Sequence, residues 1–319
     1  MKKIFKTGFM LIIILMLVST TLIGCTKEDD EKENSNKQDV NESKQTSQID
    51  DSYICDAEWL KGNLDKVVIL DARGEKAYKK GHIPGAINVT WQGFSNMTGV
   101  PGDAGWGTVL DAEELSKKLS AIGVTKDKDV VVYCDTNGWG EDGRILWMLR
   151  MAGVENSVLL DGGWNYWEAN GYEVSKEAIT PASSDFEVSQ LDMSTTIDTD
   201  ALSKDLNKFK VIDTRNKDEY DGAMKFGEAR GGHIPGSINI PFQTLLNEDG
   251  RLKSGDELEG IFKEAGIEKD DEIVTYCTAG IRSAHMQVIF KMMGYDKARN
   301  YDESFYRWAA DENLELATK

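Results

Sequence analysis

The chain of 319 residues is 40% hydrophobic and carries a formal net charge of −18. This length predicts about two domains, each with enough apolar side chains to form a core. The excess of acidic residues excludes the broad basic surface that nucleic-acid-binding proteins use, so we expect no nucleic-acid partner. Any anion that the protein binds must be held by local groups.

Residues 1–25, MKKIFKTGFMLIIILMLVSTTLIGC, have the pattern of a secretory signal, with early lysines and a short apolar run from Phe9 to Val18. The ending Leu22, Ile23, Gly24, Cys25 resembles the lipobox of bacterial lipoproteins. That resemblance implies cleavage before Cys25, a lipid on its thiol and attachment to the outer face of the bacterial cytoplasmic membrane. An uncleaved anchor helix is the alternative, and it places the protein on the same side of the membrane.

Residues 26–51 are mostly Lys, Glu, Asp, Asn, Ser and Gln and include no aromatic residue. Such a segment buries too little apolar area to offset its ordering entropy. We therefore predict a flexible acidic and polar tether, with ordered structure starting near Tyr53.

Four cysteines are present, Cys25, Cys55, Cys134 and Cys277. If Cys25 carries lipid, three thiols remain. This odd number argues against a disulfide framework and predicts that at least one thiol is free.

Three segments of the first half recur in the same order in the second half, which indicates a tandem duplication. The pairs are Val67 to Val89 with Lys210 to Ile240, Asp127 to Cys134 with Asp270 to Cys277, and the segments that end at Trp167 and Trp308. The repeats predict an N-terminal domain over residues 52–175, a linker over 176–195 and a C-terminal domain over 196–319.

Short β-branched runs alternate with helical patterns in both halves, which predicts α/β domains, each with a mainly parallel sheet flanked by helices. In the second half we expect strands over Val211 to Asp213 and Ile273 to Tyr276, and helices over Ser254 to Ala265 and Ser283 to Met293. Cys277 then ends a buried strand, at the sheet edge where ligands bind in open α/β folds.

The loop CTAGIR, Cys277 to Arg282, has the composition of an anion-binding turn. Its main-chain N–H groups and the dipole of the following helix favour negative charge, and Gly280 supplies the conformational freedom that a tight turn needs. This field predicts a Cys277 thiolate and a strong nucleophile. Arg282 adds a positive charge that is suited to a substrate carboxylate or sulfonate.

The segments GHIPGAIN, GHIPGSIN and LDGGWNYW, the strand ends DAR and DTR, and the CTAGIR loop resemble the tandem-domain rhodaneses, a sulfurtransferase family. The resemblance implies that Cys277 carries sulfane sulfur as a persulfide between a small-molecule donor and a thiol or cyanide acceptor, without a cofactor. It also implies that the substrate-binding groups are Thr278, Ala279, Gly280, Ile281, Arg282 and Ser283, whose N–H groups stabilise the persulfide.

Two alternative activities share this fold. Related phosphatases place five residues between cysteine and arginine, whereas this loop places four, which disfavours phosphatase activity. A non-enzymatic sulfur-carrier or binding module is the other alternative. The donor stays open between thiosulfate and 3-mercaptopyruvate, because Thr278 is neutral and Arg282 ends the loop.

Several other residues are candidates for the functional site, and the sequence supports them to different degrees. Cys134 is equivalent to Cys277 but is followed by acidic residues that oppose thiolate formation, so we predict a non-catalytic first domain. Arg230, in a segment that the first repeat lacks, is predicted to hold the donor. Tryptophans of the first domain, Trp91, Trp106 and Trp139, are candidates for lining the cleft. The three histidines, His82, His233 and His285, lack the spacing of a metal site, and His285 is expected on the helix surface.

Overall fold

The computed structural model describes residues 47–318. The predicted signal peptide, Cys25 and most of the predicted tether lie outside this range. Among the residues from 47 to 318, no helix is both long enough and apolar enough to cross a membrane. Contacts begin earlier than Tyr53, because Ile49 packs on the core and the Asp50 N–H donates to the Met292 carbonyl at 2.9 Å.

Each domain contains one five-stranded parallel sheet, which confirms the predicted α/β class. The order is β1-β5-β4-β2-β3 in the first sheet and β6-β10-β9-β7-β8 in the second, so the two halves share one topology. The strands are β1 (Ile54–Cys55), β2 (Val68–Asp71), β3 (Ala86–Asn88), β4 (Val130–Tyr133), β5 (Ser157–Leu160), β6 (Thr196–Ile197), β7 (Lys210–Asp213), β8 (Ile238–Asn239), β9 (Ile273–Tyr276) and β10 (Arg299–Tyr301).

Five α-helices flank each sheet. They are α1 (Ala57–Lys61), α2 (Glu75–Tyr78), α3 (Ala112–Ala121), α4 (Glu141–Met151), α5 (Gly163–Ala169), α6 (Thr199–Lys204), α7 (Lys217–Tyr220), α8 (Gly255–Glu264), α9 (Ile281–Met292) and α10 (Ser304–Ala310). Short 3-10 turns cover Asp51–Tyr53, Trp91–Phe94, Met193–Thr195, Leu206–Lys208 and Phe242–Leu245.

The middle strands β4 and β9 are buried along their whole length, as expected for β-branched runs covered on both faces. In the second sheet Ile212 pairs with Thr275 and Asp213 with Tyr276. This register brings the ends of β7 and β9 to the same sheet edge. Cys277 follows β9 directly, so it lies at the carboxyl edge of the sheet, as predicted.

Helix α8 has the predicted start, since Ser254 and Glu257 form a capping box there. Helix α9 begins at Ile281, two residues before the predicted Ser283. The reason is Gly280, whose φ of 79° turns the chain directly into the helix. Arg282 therefore belongs to the first turn of α9 and not to the loop.

The two domains share a core in which helices α4 and α9 cross. Both helices are buried almost all round, unlike surface helices with one apolar stripe. At the crossing, a β-carbon placed on Gly143 would lie 2.3 Å from Cδ2 of His285. His285 is therefore buried between the domains, and its predicted position on the helix surface is wrong.

The segment between the domains packs against the first one. Phe186 and Val188 are buried, and the Val188 N–H donates to the Ser116 hydroxyl at 2.9 Å. The histidines of the two GHIPG turns have equivalent roles, since each Nδ1 lies near the carbonyl of the preceding helical tyrosine, His82 with Tyr78 and His233 with Tyr220.

Candidate active site

Cys277 lies in a short buried loop between β9 and α9, and only 1% of its surface is exposed. Its N–H donates to the Ser304 hydroxyl at 3.0 Å, and its carbonyl accepts from the Phe305 N–H at 3.0 Å. Ser304 has φ 57°, a left-handed conformation that is unfavourable for a residue with a side chain. The first turn of α10 thus fixes the backbone of the cysteine.

The environment of Cys277 favours its thiolate. Burial raises the thiol pKa, but the charge of Arg282, the N–H groups of Ser283 and Ala279 and the Ser283 hydroxyl outweigh burial, so that the pKa lies below its ordinary value. That hydroxyl is buried and has no nitrogen or oxygen partner among the described residues. Of the six loop residues predicted to donate N–H groups, Ala279 and Ser283 supply the N–H groups that lower the pKa of Cys277.

Arg282 is held by a carboxylate that sequence analysis missed. Its Nη atoms lie 2.8 Å from both carboxylate oxygens of Glu219 in α7, and one of them also donates to the Thr278 hydroxyl at 2.8 Å. Its Nε has no partner among residues 47–318. Alignment of the two repeats could have identified Glu219, because the first repeat has the uncharged residue Ala77 at the equivalent position.

The corresponding site of the first domain has the opposite electrostatics. Gly140 precedes α4 as Gly280 precedes α9, and Asp142 takes the helix position that Arg282 has in the second domain. Burial and the charges of Asp142 and Glu141 raise the pKa of Cys134 well above its ordinary value. Cys134 is therefore a protonated, buried thiol in the structure.

A pocket of about 330 Å³ opens onto the Cys277 loop. The first domain supplies one wall and the second domain the other, so the domain interface shapes it. The lining side chains include the three tryptophans of the first domain, which confirms the prediction that they line the cleft. They are Trp91, Gln92, Trp106, Trp139, Glu141, Phe226, Cys277, Thr278, Ala279, Ile281, Arg282 and Tyr306.

Arg144 of α4 links the first domain to the loop that follows Cys277. Its guanidinium forms a buried ion pair with Asp302 and donates to the Gly107 carbonyl at 2.9 Å and to the Gly280 carbonyl at 3.4 Å. Asp302 also accepts the N–H of Val109 at 2.9 Å. This network fastens the first-domain loop that carries Trp106 to the second domain, and sequence analysis missed it because it depends on the domain arrangement.

Arg230 has a different set of partners from those that the sequence predicted. Its guanidinium donates to four main-chain carbonyls of the C-terminal segment, those of Trp308, Ala309, Asp311 and Leu314, at 2.6 to 3.1 Å. These bonds engage all three of its nitrogens, and Arg230 does not line the pocket. We correct the predicted role in donor binding: Arg230 instead holds the end of α10 and the chain that follows it.

The described cysteines, Cys55, Cys134 and Cys277, are all free thiols. This confirms that at least one thiol is unpaired. Burial and neighbouring carboxylates raise the pKa of Cys55 to about 12, so it is unreactive at neutral pH. Of the three thiols, Cys277 alone combines a lowered pKa with a position on the pocket wall.

Comparison with known proteins agrees with the duplicated architecture. The family model of the rhodanese-like domain matches residues 56–170 and 198–311. A protein of Saccharopolyspora erythraea named "Putative thiosulfate sulfurtransferase" is 30% identical over 271 residues, which cover 82% of this chain and 94% of that protein. "Sulfur carrier protein TtuD" of Thermus thermophilus is 30% identical over 275 residues, 80% of this chain and 93% of that protein.

A solved structure has a similar fold. The crystal structure of the anaerobic ergothioneine biosynthesis enzyme of Chlorobium limicola, in complex with trimethyl histidine, superimposes with a TM-score of 0.75 at 23% identity. The match covers 84% of this chain and 71% of that chain. At this identity the likeness concerns the fold.

Proposed function

Because the chain belongs to the rhodanese-like domain family, we propose that it is a sulfurtransferase that carries sulfane sulfur as a persulfide on Cys277. The observation that carries the proposal is the lowered pKa of Cys277 at the wall of a pocket, against the raised pKa of Cys134 in the equivalent loop. The names of the relatives support sulfur transfer as the activity.

The reaction has two steps. The Cys277 thiolate attacks the outer sulfur of thiosulfate or the thiol sulfur of 3-mercaptopyruvate, and a new S–S bond forms. The S–S bond of thiosulfate or the C–S bond of 3-mercaptopyruvate breaks, and the rest of the donor leaves with its electron pair as sulfite or pyruvate enolate. An acceptor thiolate or cyanide then attacks the outer sulfur, and the electron pair returns to Cys277. The N–H groups of Ala279 and Ser283 stabilise the anionic sulfur in both states.

The donor is thiosulfate or 3-mercaptopyruvate. Two N–H groups of the Arg282 guanidinium can donate to it, because Nε has no partner among residues 47–318 and Nη1 uses only one of its two N–H groups, on Glu219. The names of several relatives favour thiosulfate.

The first experiment measures sulfur transfer to cyanide from each donor, with the parent protein and the variants Cys277→Ser and Cys134→Ser. We expect Cys277→Ser to abolish transfer and Cys134→Ser, the matched control in the other repeat, to retain it. A Cys277→Ser protein as active as the parent would refute the carrier role.

Delivery of sulfur to a partner protein is a second candidate function, favoured by the relative named as a sulfur carrier. A Cys277 persulfide that forms fully, seen as a mass increase of one sulfur atom, but turns over negligibly with small acceptors would support this candidate.

We also propose that the protein is a lipoprotein anchored at the outer face of the cytoplasmic membrane, on the basis of the residues that precede Cys25. Metabolic labelling with a palmitate analogue tests this proposal. The full-length chain should be labelled and Cys25→Ser should not; equal labelling of both would refute lipidation at Cys25.

A further inference from the structure

The outer part of the pocket contains groups that the two sulfur-transfer steps do not need. Five aromatic side chains surround the entrance to Cys277: Trp91, Trp106, Trp139, Phe226 and Tyr306. They form two groups. Trp106 meets Trp91 edge-on with centroids 6.4 Å apart and Tyr306 at 5.6 Å, and Trp139 meets Phe226 at 4.8 Å.

These rings are not ordinary core packing. Trp139 is 40% exposed and Phe226 is 39% exposed, although the two domains that carry them share a large buried interface. Large aromatic side chains left half in solvent at a pocket mouth are available to a ligand. The pocket volume of about 330 Å³ is within the range of small-molecule sites.

The charges around the pocket have a negative balance. Glu141 lines it, and no ion pair joins its carboxylate to a Lys or Arg of the described chain. Glu228 is 6% exposed, and its Oε1 has no partner among residues 47–318. It lies close enough to Tyr306 that its charge, after burial, raises the pKa of that phenol to about 12.

Arg282 is the one cation that lines the pocket in the described structure; it is paired with Glu219 at 2.8 Å, and its Cζ lies 4.8 Å from the centroid of the Trp139 ring. The next arginine inward, Arg215, is paired with Asp213. The pocket therefore has two ends of different character. Main-chain N–H groups stabilise the anionic sulfur at the inner end, while carboxylates and aromatic faces at the outer end favour positive charge.

We propose that the acceptor that discharges sulfur from Cys277 is an organic cation, a nucleophile that carries a quaternary or protonated ammonium group. The ammonium group lies among the aromatic rings near Glu141, and the nucleophilic atom reaches the persulfide. In this step the nucleophile forms a bond to the outer sulfur and the S–S bond breaks. The electron pair of the S–S bond stays on the sulfur of Cys277, which becomes a thiolate again. This inference rests on the proposed sulfur transfer.

Recognition can be measured apart from chemistry in the full-length Cys277→Ser protein, which cannot carry sulfur. The probes are choline and its neutral carbon isostere 3,3-dimethylbutan-1-ol, and the readout is tryptophan fluorescence. The two probes match in shape, so their difference measures charge recognition. We expect choline to bind about tenfold more tightly than the isostere.

Three variants in the same background locate the site. Trp139→Leu removes a ring and Glu141→Gln removes a charge without changing shape, and each should weaken choline binding by about fivefold or more. Trp59→Leu is the matched control, because Trp59 is 39% exposed on the first domain but lies outside this pocket. It should leave choline affinity unchanged.

Equal affinity for the two probes, binding of neither, or choline binding that Trp139→Leu and Glu141→Gln do not weaken would each overturn the inference. Sulfur transfer by the parent protein separates this failure from that of the proposed function. Transfer without a preference for choline overturns the cationic acceptor alone. Absence of transfer from both donors overturns the proposed function and the acceptor role with it.

Discussion

Two cysteines that follow equivalent strands differ most in the charge at the start of the following helix. Burial raises the pKa of both thiols; the charge of Arg282 helps to outweigh burial at Cys277, whereas Asp142, at the same helix position in the first domain, adds to it at Cys134. The N–H groups of a helix start are common to both loops, so they alone do not make a reactive thiol. The sign of the neighbouring charge does.

This dependence predicts how reactivity responds to the Arg282–Glu219 pair. The single change Arg282→Met would remove the ion pair of the buried Glu219 carboxylate, so the informative variant combines it with Glu219→Gln. The Cys277 thiolate then loses its nearest positive charge. The pH profile of iodoacetamide alkylation at Cys277, followed by peptide mass, should move to higher pH. Arg251→Met, on the surface, is the control, and an unchanged profile in the double variant would contradict this account.

Ser304 holds the Cys277 N–H from a strained backbone conformation, where the first repeat has Gly163 with φ 51°. Ser304→Gly and Ser304→Ala both lose the hydroxyl, but only glycine tolerates the left-handed conformation without cost. We expect both variants to transfer sulfur more slowly, and Ser304→Gly to be about 1 kcal/mol more stable than Ser304→Ala in urea unfolding. Full activity of either variant would show that the hydroxyl does not position Cys277.

At the scale of elements, the crossing of α4 and α9 determines how the domains meet. Gly143 permits the contact, since any side chain there would overlap His285. Both helices also begin at the sheet edges that carry the equivalent cysteines. An increase in the distance between the two helices would therefore move the two pocket walls apart.

Gly143→Ala should lower the free energy of unfolding by about 3 kcal/mol, because the added methyl group forces the helices apart. The matched control is Gly260→Ala in α8, where a β-carbon meets no atom within 4 Å. That control should gain about 0.5–1 kcal/mol from better helix propensity. Similar stabilities of the two variants in urea titrations would be inconsistent with the contact described.

His285 at this crossing predicts a pH dependence of stability. Burial lowers its pKa below the ordinary 6.5, and Asp142 offsets this only in part. Between the two pKa values the unfolded chain binds a proton at His285 that the folded protein does not bind. The contribution of His285 to stability is therefore full above pH 6.5 and is lost as the pH falls towards the folded-state pKa. The urea midpoint should fall less between about pH 7.5 and about pH 5 in His285→Gln than in the parent. An equal fall in both would exclude His285 as the cause.

At the scale of the whole molecule, the shared core and the Arg144–Asp302 pair make the two domains one unit. Arg144→Met leaves the buried Asp302 carboxylate without an opposite charge and should cost about 3–5 kcal/mol, whereas the double change with Asp302→Asn should cost less. Calorimetry should show one transition for the parent protein. A double variant that unfolds at a lower temperature than the single one would contradict this account.

Much of this arrangement follows from the sequence. The duplication, the parallel sheets, the β9 strand and the loop at Cys277 all depend on local patterns within one repeat. The start of α9 depends on the backbone conformation of Gly280, and the partners of Arg230 depend on contacts between distant segments of the second repeat. The environment of His285 and the Arg144 network depend on how the two repeats pack together. Burial of α9 reverses the expectation for His285, because the pattern of an isolated helix does not reveal that α4 of the first domain covers it.

Cys277 and most of the outer wall of its pocket lie in different copies of the duplicated segment. The first copy lacks the positive charge that lowers the pKa of Cys277, yet it supplies three tryptophans and Glu141 to the pocket. The two copies are inherited as one unit, but different demands act on their sequences. Substitutions in the first copy can change the wall of the pocket while the loop that holds Cys277 in the second copy stays intact.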